Sequence, residues 1–139
     1  MKRHALPLLA TLLCVGPVAA QQAAAEVMVT VTSADTQAQG FALVLATQAL
    51  QQKAKVRVLL CAAGGPLALK AREPEALKPR SPKEMLEGLI KGGAQVEVCA
   101  LFLPNSSHTA ADLLDGVAVA KPQEVAAHML QSQVRLLAY

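Results

Sequence analysis

Two cysteines are the residues of this chain best suited to chemistry. Cys61 ends the short apolar run 56–61, and Cys99 lies late in a second apolar run, 96–101. Both runs are typical of buried strands, and in open α/β sheets ligand sites form at the carboxyl ends of the strands. A thiolate is a strong nucleophile that attacks other sulfur atoms. The sequence therefore predicts a thiol site at one edge of a sheet.

The spacing of the two cysteines leaves three interpretations open. Consecutive parallel strands joined by a helix often lie side by side, about 4.8 Å apart, so Cys61 and Cys99 at similar heights would reach disulfide range. They could form a disulfide, act as a reactive thiol with a resolving partner, or be two inert core residues. Cys99 is the stronger candidate, because a predicted helix start at Thr109 would favour a nearby thiolate.

Metal and cofactor sites receive less support from the sequence. Other soft or borderline metal ligands, such as His108 and His128, show no sequence spacing that groups them with the cysteines. Copper(I) binding through the two thiolates is therefore a third and weaker hypothesis. His108 could stabilise a Cys99 thiolate, although a structural role is favoured for it. The chain has no phosphate loop and no GxGxxG, HExxH or GxSxG motif. We therefore expect no cofactor and assign no metal ligands.

The first twenty residues have the pattern of a secretory signal peptide. Basic Lys2 and Arg3 precede the apolar stretch 6–18, and small residues precede a cleavage point after residue 20. The bulky residue before Cys14 argues against a lipoprotein, so this third cysteine is expected to be removed with the signal. We predict a periplasmic or secreted protein whose single domain comprises residues 21–139.

Loss of this segment changes the electrostatic character of the chain. The formal net charge of the full sequence is +3, and removal of Lys2 and Arg3 with no acidic residue lowers it to +1. The chain has no tryptophan, and only 2% of its residues are aromatic. A nearly neutral domain with so few aromatic side chains gives no support for binding to nucleic acid or to an anionic membrane.

Alternating strand and helix patterns predict the fold. Strands are predicted at 26–33, 56–61, 95–102, 117–120 and 134–138, and helices at 37–53, 81–92, 109–114 and 122–131. Strands that alternate with helices at this spacing form right-handed βαβ units. The fold class predicted is a three-layer α/β/α domain with a mostly parallel sheet of about five strands.

Helix periodicity also predicts which side chains face the core. In the first helix the residues at this spacing are Phe41, Val44, Leu45, Gln48 and Ala49, and in the last helix the inward residues are Val125, Ala126, Met129 and Leu130. The segment 62–80 has no period and contains several glycines and prolines, with a short helical turn expected near 67–71. Such a long loop in a small domain is usually functional or mobile, and we expect it to cover the thiol site.

Three segments of the chain resemble the DsrE/DsrF-like family. These are VRVLLCAAGG, SPKEMLEGLIKGGAQVEVCALFLPN and DLLDGVAVAKPQEV, and the resemblance extends from Glu26 to Tyr139. The family implies a three-layer α/β/α fold, association into homo-oligomers, and a sulfur relay in which a cysteine carries sulfane sulfur as a persulfide. That cysteine corresponds to Cys99. The basic residue and glycine that usually follow it are replaced here by Leu103-Pro104-Asn105.

These observations combine into a hypothesis with defined alternatives. We expect an exported sulfur-carrier or thiol-exchange protein in which Cys99 is the nucleophile and Cys61 resolves or protects it. Its partners would be a sulfur donor or acceptor, either a protein or a small sulfur compound, and other copies of itself. The alternative is a non-catalytic oligomeric binding module with a structural Cys61–Cys99 disulfide. The resemblance leaves open whether the protein is an enzyme of the sulfurtransferase type.

Overall fold

The computed structural model describes residues 25–139, so the predicted signal peptide and Cys14 lie outside the described part. Five strands alternate with three α-helices in this region. The strands are β1 Glu26–Val31, β2 Lys55–Leu60, β3 Gln95–Val98, β4 Val117–Val119 and β5 Val134–Ala138; the helices are α1 Thr36–Gln51, α2 Pro82–Lys91 and α3 Pro122–Met129. No helix within residues 25–139 is long and apolar enough to cross a membrane.

All five strands run parallel in the order β4-β3-β2-β1-β5. The predicted α/β class and the parallel five-stranded sheet are therefore confirmed. Three strands are shorter than predicted, since β1 ends at Val31, β3 at Val98 and β4 at Val119. After β3 the chain turns at once, because the Phe102 amide donates to the Cys99 carbonyl oxygen at 2.9 Å.

Local sequence signals account for the positions of the helices. Ser81 caps α2 by accepting a hydrogen bond from the Glu84 amide, and the Glu84 carboxylate accepts one from the Ser81 amide in return. The first residue of α2 is a proline, whose missing N–H costs nothing there. Asp35 caps α1 by accepting a hydrogen bond from the Ala38 amide at 2.8 Å.

The two faces of the sheet are covered unequally. Helices α1 and α2 pack on one face and bury a large core that includes Val29, Val58 and Leu86. The opposite face carries a small apolar cluster of three buried residues, Met28, Leu59 and Ala120, against which Val125 of α3 packs. The described domain thus has one fully covered sheet face and one that a single short helix covers in part.

The predicted inward face of α1 is wrong at most positions, although Ala49 packs partly buried against the main core. Phe41 and Val44 are exposed, while the buried positions of this helix are Gln39, Gly40, Ala42, Leu43 and Ala46. Small and apolar residues outnumber the four glutamines of α1, so periodicity alone marks no single stripe. The small residues set the packing because they let the helix approach its neighbours closely, as where Leu77 lies over Gly40.

The predicted inward face of α3 is confirmed only for Val125, which is partly buried against the small cluster. None of its eight residues is buried, and Ala126 and Met129 are exposed although both have the spacing of an inward stripe. Leu130, just after the helix, is 87% exposed. The helix therefore leaves apolar surface open between itself and the sheet.

The segment 62–80 is held in place rather than folded over the thiols. A 3-10 helix spans Ala62–Ala68, earlier than the predicted turn at 67–71. Leu67, Ala68 and Leu69 are buried in the main core, and Leu69 forms a β-bridge with Leu113. This packing explains why the predicted cover of the site is wrong, because the apolar residues of the segment are used by the core.

Candidate functional site

Strand register brings the two cysteines together. Leu60 of β2 pairs with Val98 of β3, so Cys61 and Cys99 occupy the next matched position at the carboxyl ends of these strands. The hydrogen bonds between β2 and β3 continue as far as Cys99, whose backbone amide donates to the Leu60 carbonyl oxygen at 2.8 Å. Both residues are half-buried free thiols. The predicted juxtaposition of the two cysteines is thus present, with no disulfide between them.

The two thiols open into a shared cavity of about 480 Å³, which we call the cysteine cavity. Its wall combines the strand ends with the loop that follows β3. The lining residues are Cys61, Ala62, Cys99, Leu101, Phe102, Asn105 and Ser106. The cavity is therefore mainly apolar, with an amide and a hydroxyl as the polar side chains beside the thiols.

The loop after β3 forms the outer wall of the cysteine cavity. The Asn105 side-chain amide donates to the Leu101 carbonyl oxygen at 2.8 Å, and the Ser106 hydroxyl donates to the Leu103 carbonyl oxygen at 3.2 Å. Both polar groups are thereby used to fix the loop. Leu101 is 70% exposed and forms an apolar rim to the cavity.

Gly64 and Gly65 allow the chain after Cys61 to pack closely against β1 and Phe102. A Cβ at Gly64 would overlap the Val31 carbonyl, and a Cβ at Gly65 would overlap the Phe102 ring. Ala62 between this pair and Cys61 adopts φ 47°, a left-handed conformation that is unfavourable for alanine. Strained backbone of this kind concentrates at functional sites, and here it turns the chain sharply just after the thiol.

The pKa of Cys61 gives this thiol a different role from that of Cys99. Burial, the hydrogen bond to Cys99 and the charge of an ionised Cys99 together raise the pKa of the Cys61 thiol from its ordinary value of 9.0 to about 12. Cys61 thus stays protonated at neutral pH, where it can donate its S–H to the neighbouring sulfur. A thiol in this state is a poor nucleophile, because the thiolate is the reactive form.

The two other groups predicted near Cys99 lie elsewhere. The His108 ring stacks on the ring of Phe102, a residue of the cavity wall, with the two ring centroids 6.4 Å apart. His108 itself does not line the cavity. The helix predicted from Thr109 is a three-residue 3-10 helix, Ala110–Asp112, with no residue in the cavity wall. The expectation that its dipole favours a Cys99 thiolate is therefore wrong.

Metal-ligating side chains do not gather around the thiols. Within residues 25–139, no three side chains from His, Cys, Asp and Glu come together as a possible metal site. His128 lies on α3, where its Nε2 is 3.0 Å from a Glu26 carboxylate oxygen. The copper hypothesis is left with the two thiols alone in this part of the chain.

Cys99 also lines a second space, on the α3 side of the sheet. This apolar groove has a volume of about 210 Å³ and is bounded by Leu59, Cys99, Ala100, Ala120, Pro122, Val125, Ala126 and Met129. It is the surface that α3 leaves uncovered. Cys99 therefore lines both spaces, whereas Cys61 lines the cysteine cavity and not the groove.

A buried ion pair lies below the groove on the same sheet face. The Arg57 Nε donates to a Glu97 carboxylate oxygen at 2.6 Å, and the two side chains are 8% and 5% exposed. The same guanidinium reaches the Glu124 carbonyl oxygen of α3 at 3.5 Å. These contacts fix neighbouring strands β2 and β3 and connect them to α3, which positions the helix beside Cys99.

Comparison with known proteins identifies the class to which this fold belongs. Two solved structures share the fold, each covering 83% of this chain and 99% of its own: the ychN protein from E. coli (TM-score 0.72, 19% identity) and MTH1491, a protein of unknown function from Methanobacterium thermoautotrophicum (TM-score 0.64, 15% identity). No curated protein matches the sequence. The profile of the DsrE/DsrF-like family matches residues 25–138, and the chain belongs to that family.

Sequence reasoning located both thiols but missed most of the surrounding wall. Phe102, Asn105 and Ser106 belong to or flank the short 3-10 helix Leu103–Asn105, where no period shows which side chains point inward. One available signal was the Gly64–Gly65 pair, three residues after Cys61. Adjacent glycines after a strand indicate close backbone approach, which here is the approach to β1 and to the Phe102 ring.

Proposed function

We propose that this protein is an exported sulfur carrier that holds sulfane sulfur on Cys99 as a persulfide. Membership of the DsrE/DsrF-like family, which is associated with sulfur relay in general, supports this class of function. The observation that carries the proposal is the placement of Cys99 at a strand end, facing the cysteine cavity with a second thiol beside it. The pattern of residues 1–20 supports export to the periplasm or outside the cell.

The chemistry requires only thiol nucleophilicity. The Cys99 thiolate attacks one sulfur of hydrogen disulfide, so that Cys99–S⁻ and HS–SH give Cys99–S–SH and HS⁻. An acceptor thiolate then attacks the outer sulfur, which restores Cys99–S⁻ and yields the acceptor persulfide. One S–S bond forms and one breaks in each step, so no external oxidant is needed.

Cys61 is proposed to protect this site rather than resolve it. A resolving thiol must ionise to attack Cys99–S–SH, and the pKa of Cys61, about 12, keeps it protonated at neutral pH. A protonated thiol can instead donate a hydrogen bond to the sulfur of Cys99. We further propose self-association, because apolar side chains such as Leu101 and Leu130 are widely exposed on this domain.

Intact-mass measurement tests the proposal. Wild type and Cys61→Ala treated with inorganic polysulfide are expected to gain the mass of one sulfur atom, and a thiol reductant should remove it. Cys99→Ala is expected to gain none. A protein that gains no sulfur in any form, or gains it equally without Cys99, would contradict the proposal.

The register of the two cysteines also favours a second candidate function. Matched positions on adjacent strands suit a structural disulfide, and the domain would then be a non-catalytic binding module. Thiol titration of the unfolded protein, purified without reductant, separates the two. Two titratable thiols support the carrier, whereas none, together with a Cys61→Ala variant that loses stability and gains no sulfur from polysulfide, supports the module.

A further inference from the structure

The apolar groove offers ligands a second route to Cys99, besides the cysteine cavity, and the carrier function does not explain it. Its wall comes from the sheet and from one side of α3, including Ala126 and Met129. Both side chains are exposed, so the groove is open to solvent. Exposed apolar surface that ends at a nucleophile differs from scattered surface residues, because any molecule bound there is held against the reactive atom.

The lining chemistry restricts what the groove can accept. Among the described residues that line the groove and the cysteine cavity there is no lysine or arginine. An anionic donor such as thiosulfate would lose hydration in the groove without gaining a cationic partner there. A neutral molecule with a hydrocarbon part gains from the same surface, since apolar groups leave water.

The volume of the groove further limits which ligands it can bind. The groove holds about 210 Å³, less than the roughly 300–1,000 Å³ of pockets that enclose drug-sized molecules. A short alkyl chain suits that volume. The flexible Met129 thioether on the wall can adjust to chains of different length.

We propose that the groove binds the hydrocarbon part of an alkyl hydropersulfide, R–S–SH, and presents its outer sulfur to Cys99. This inference rests on the proposed carrier function and names its donor class. The step is Cys99–S⁻ with R–S–SH giving Cys99–S–SH and R–S⁻. The bond from the outer sulfur to Cys99 forms as its bond to the alkyl-bearing sulfur breaks, and the alkyl thiolate leaves with the electron pair.

The test compares sulfur loading of Cys99 by methyl and butyl hydropersulfide, inorganic polysulfide and thiosulfate. Initial rates are divided by those of the same donors with the unfolded protein, which removes differences in intrinsic reactivity. Each buried methylene improves binding about fourfold at most, so three of them in a partly open groove predict a butyl preference of about tenfold or more. Thiosulfate is expected to be the poorest donor.

Ala126→Leu fills the groove from an exposed position of α3, and Ala127→Leu adds the same side chain to the neighbouring residue, which does not line it. Ala126→Leu should abolish the butyl preference while loading from polysulfide stays unchanged, and Ala127→Leu should behave as wild type. Equal normalised rates for methyl and butyl donors in wild type, or an equal loss with all donors in Ala126→Leu, would overturn the groove assignment. Absence of loading from every donor would instead overturn the carrier function.

Discussion

The reactivity of Cys61 gives a quantitative prediction about the thiol pair. A pKa of about 12 instead of 9.0 lowers the thiolate fraction of Cys61 at pH 8, by about a thousandfold. A more basic thiolate is intrinsically more nucleophilic, with a Brønsted slope of about 0.4–0.5 that recovers about twentyfold. Alkylation of Cys61 in the folded protein should therefore be about fiftyfold slower than in the unfolded chain, before any steric protection.

The neighbouring thiol supplies part of this effect, so its removal should be visible. Cys99→Ser keeps the size of the side chain but removes the ionised sulfur that raises the pKa of Cys61. Burial, the largest cause, remains. We expect the alkylation rate of Cys61 to rise several-fold in Cys99→Ser and to stay below that of the unfolded chain.

Iodoacetamide labelling with peptide mapping by mass spectrometry measures these rates. Initial rates are measured at pH 8 to 9, before any molecule is alkylated twice, so that the neighbouring thiol in wild type is still unmodified. Cys99 in the Cys61→Ser variant provides the matched measurement of the other thiol. Labelling of Cys61 as fast as in the unfolded chain, or at the same rate in wild type and Cys99→Ser, would refute the reasoning.

Three further predictions concern stability. Gly65→Ala places a Cβ against the aromatic wall of the cysteine cavity, and we expect urea titration to show a loss of about 1–3 kcal/mol. Glu97→Gln leaves the buried Arg57 guanidinium without a carboxylate, with an expected loss of about 3–5 kcal/mol. Because folding raises the pKa of Cys61 from 9.0 to about 12, the unfolding free energy should fall as pH rises through that window, less so in Cys61→Ala.

Matched controls separate these effects from general damage. Gly88 in α2 has open space where a Cβ would be added, so Gly88→Ala should raise stability by up to about 1 kcal/mol. The double variant Arg57→Met with Glu97→Leu removes both buried charges and should recover most of the stability lost in Glu97→Gln. A Gly88→Ala protein as unstable as Gly65→Ala, or no recovery in the double variant, would contradict these assignments.

The sheet and the position of the thiols could be predicted because their signals are local and strong. Alternating valines mark β1, a serine–proline–glutamate capping pattern marks α2, and equal spacing along consecutive strands aligns Cys61 with Cys99. These patterns depend on period and chain order, which one sequence contains. The family resemblance led to the same architecture, and the family match confirms it.

Most inward positions of α1 and α3 could not be predicted, since small and apolar residues outnumber polar ones in both helices. In α1 packing selected the small residues and left Phe41 55% exposed, where its ring meets that of Tyr139 edge to face. In α3 no residue is buried at all, so an apolar stripe became the wall of an open groove. Which side chains of an irregular loop face a cavity, as Phe102 does, depends on tertiary contacts that a period cannot show.

The location of transferred sulfur tests the central claim most directly. Wild-type protein is treated with inorganic polysulfide, excess donor is removed, free and persulfide sulfurs are alkylated, and the modified peptides are sequenced by tandem mass spectrometry. The carrier assignment predicts the additional sulfur atom on Cys99, with Cys61 alkylated only slowly and without added sulfur. Sulfur found mainly on Cys61, or an untreated protein in which both cysteines are already joined to each other, would contradict it.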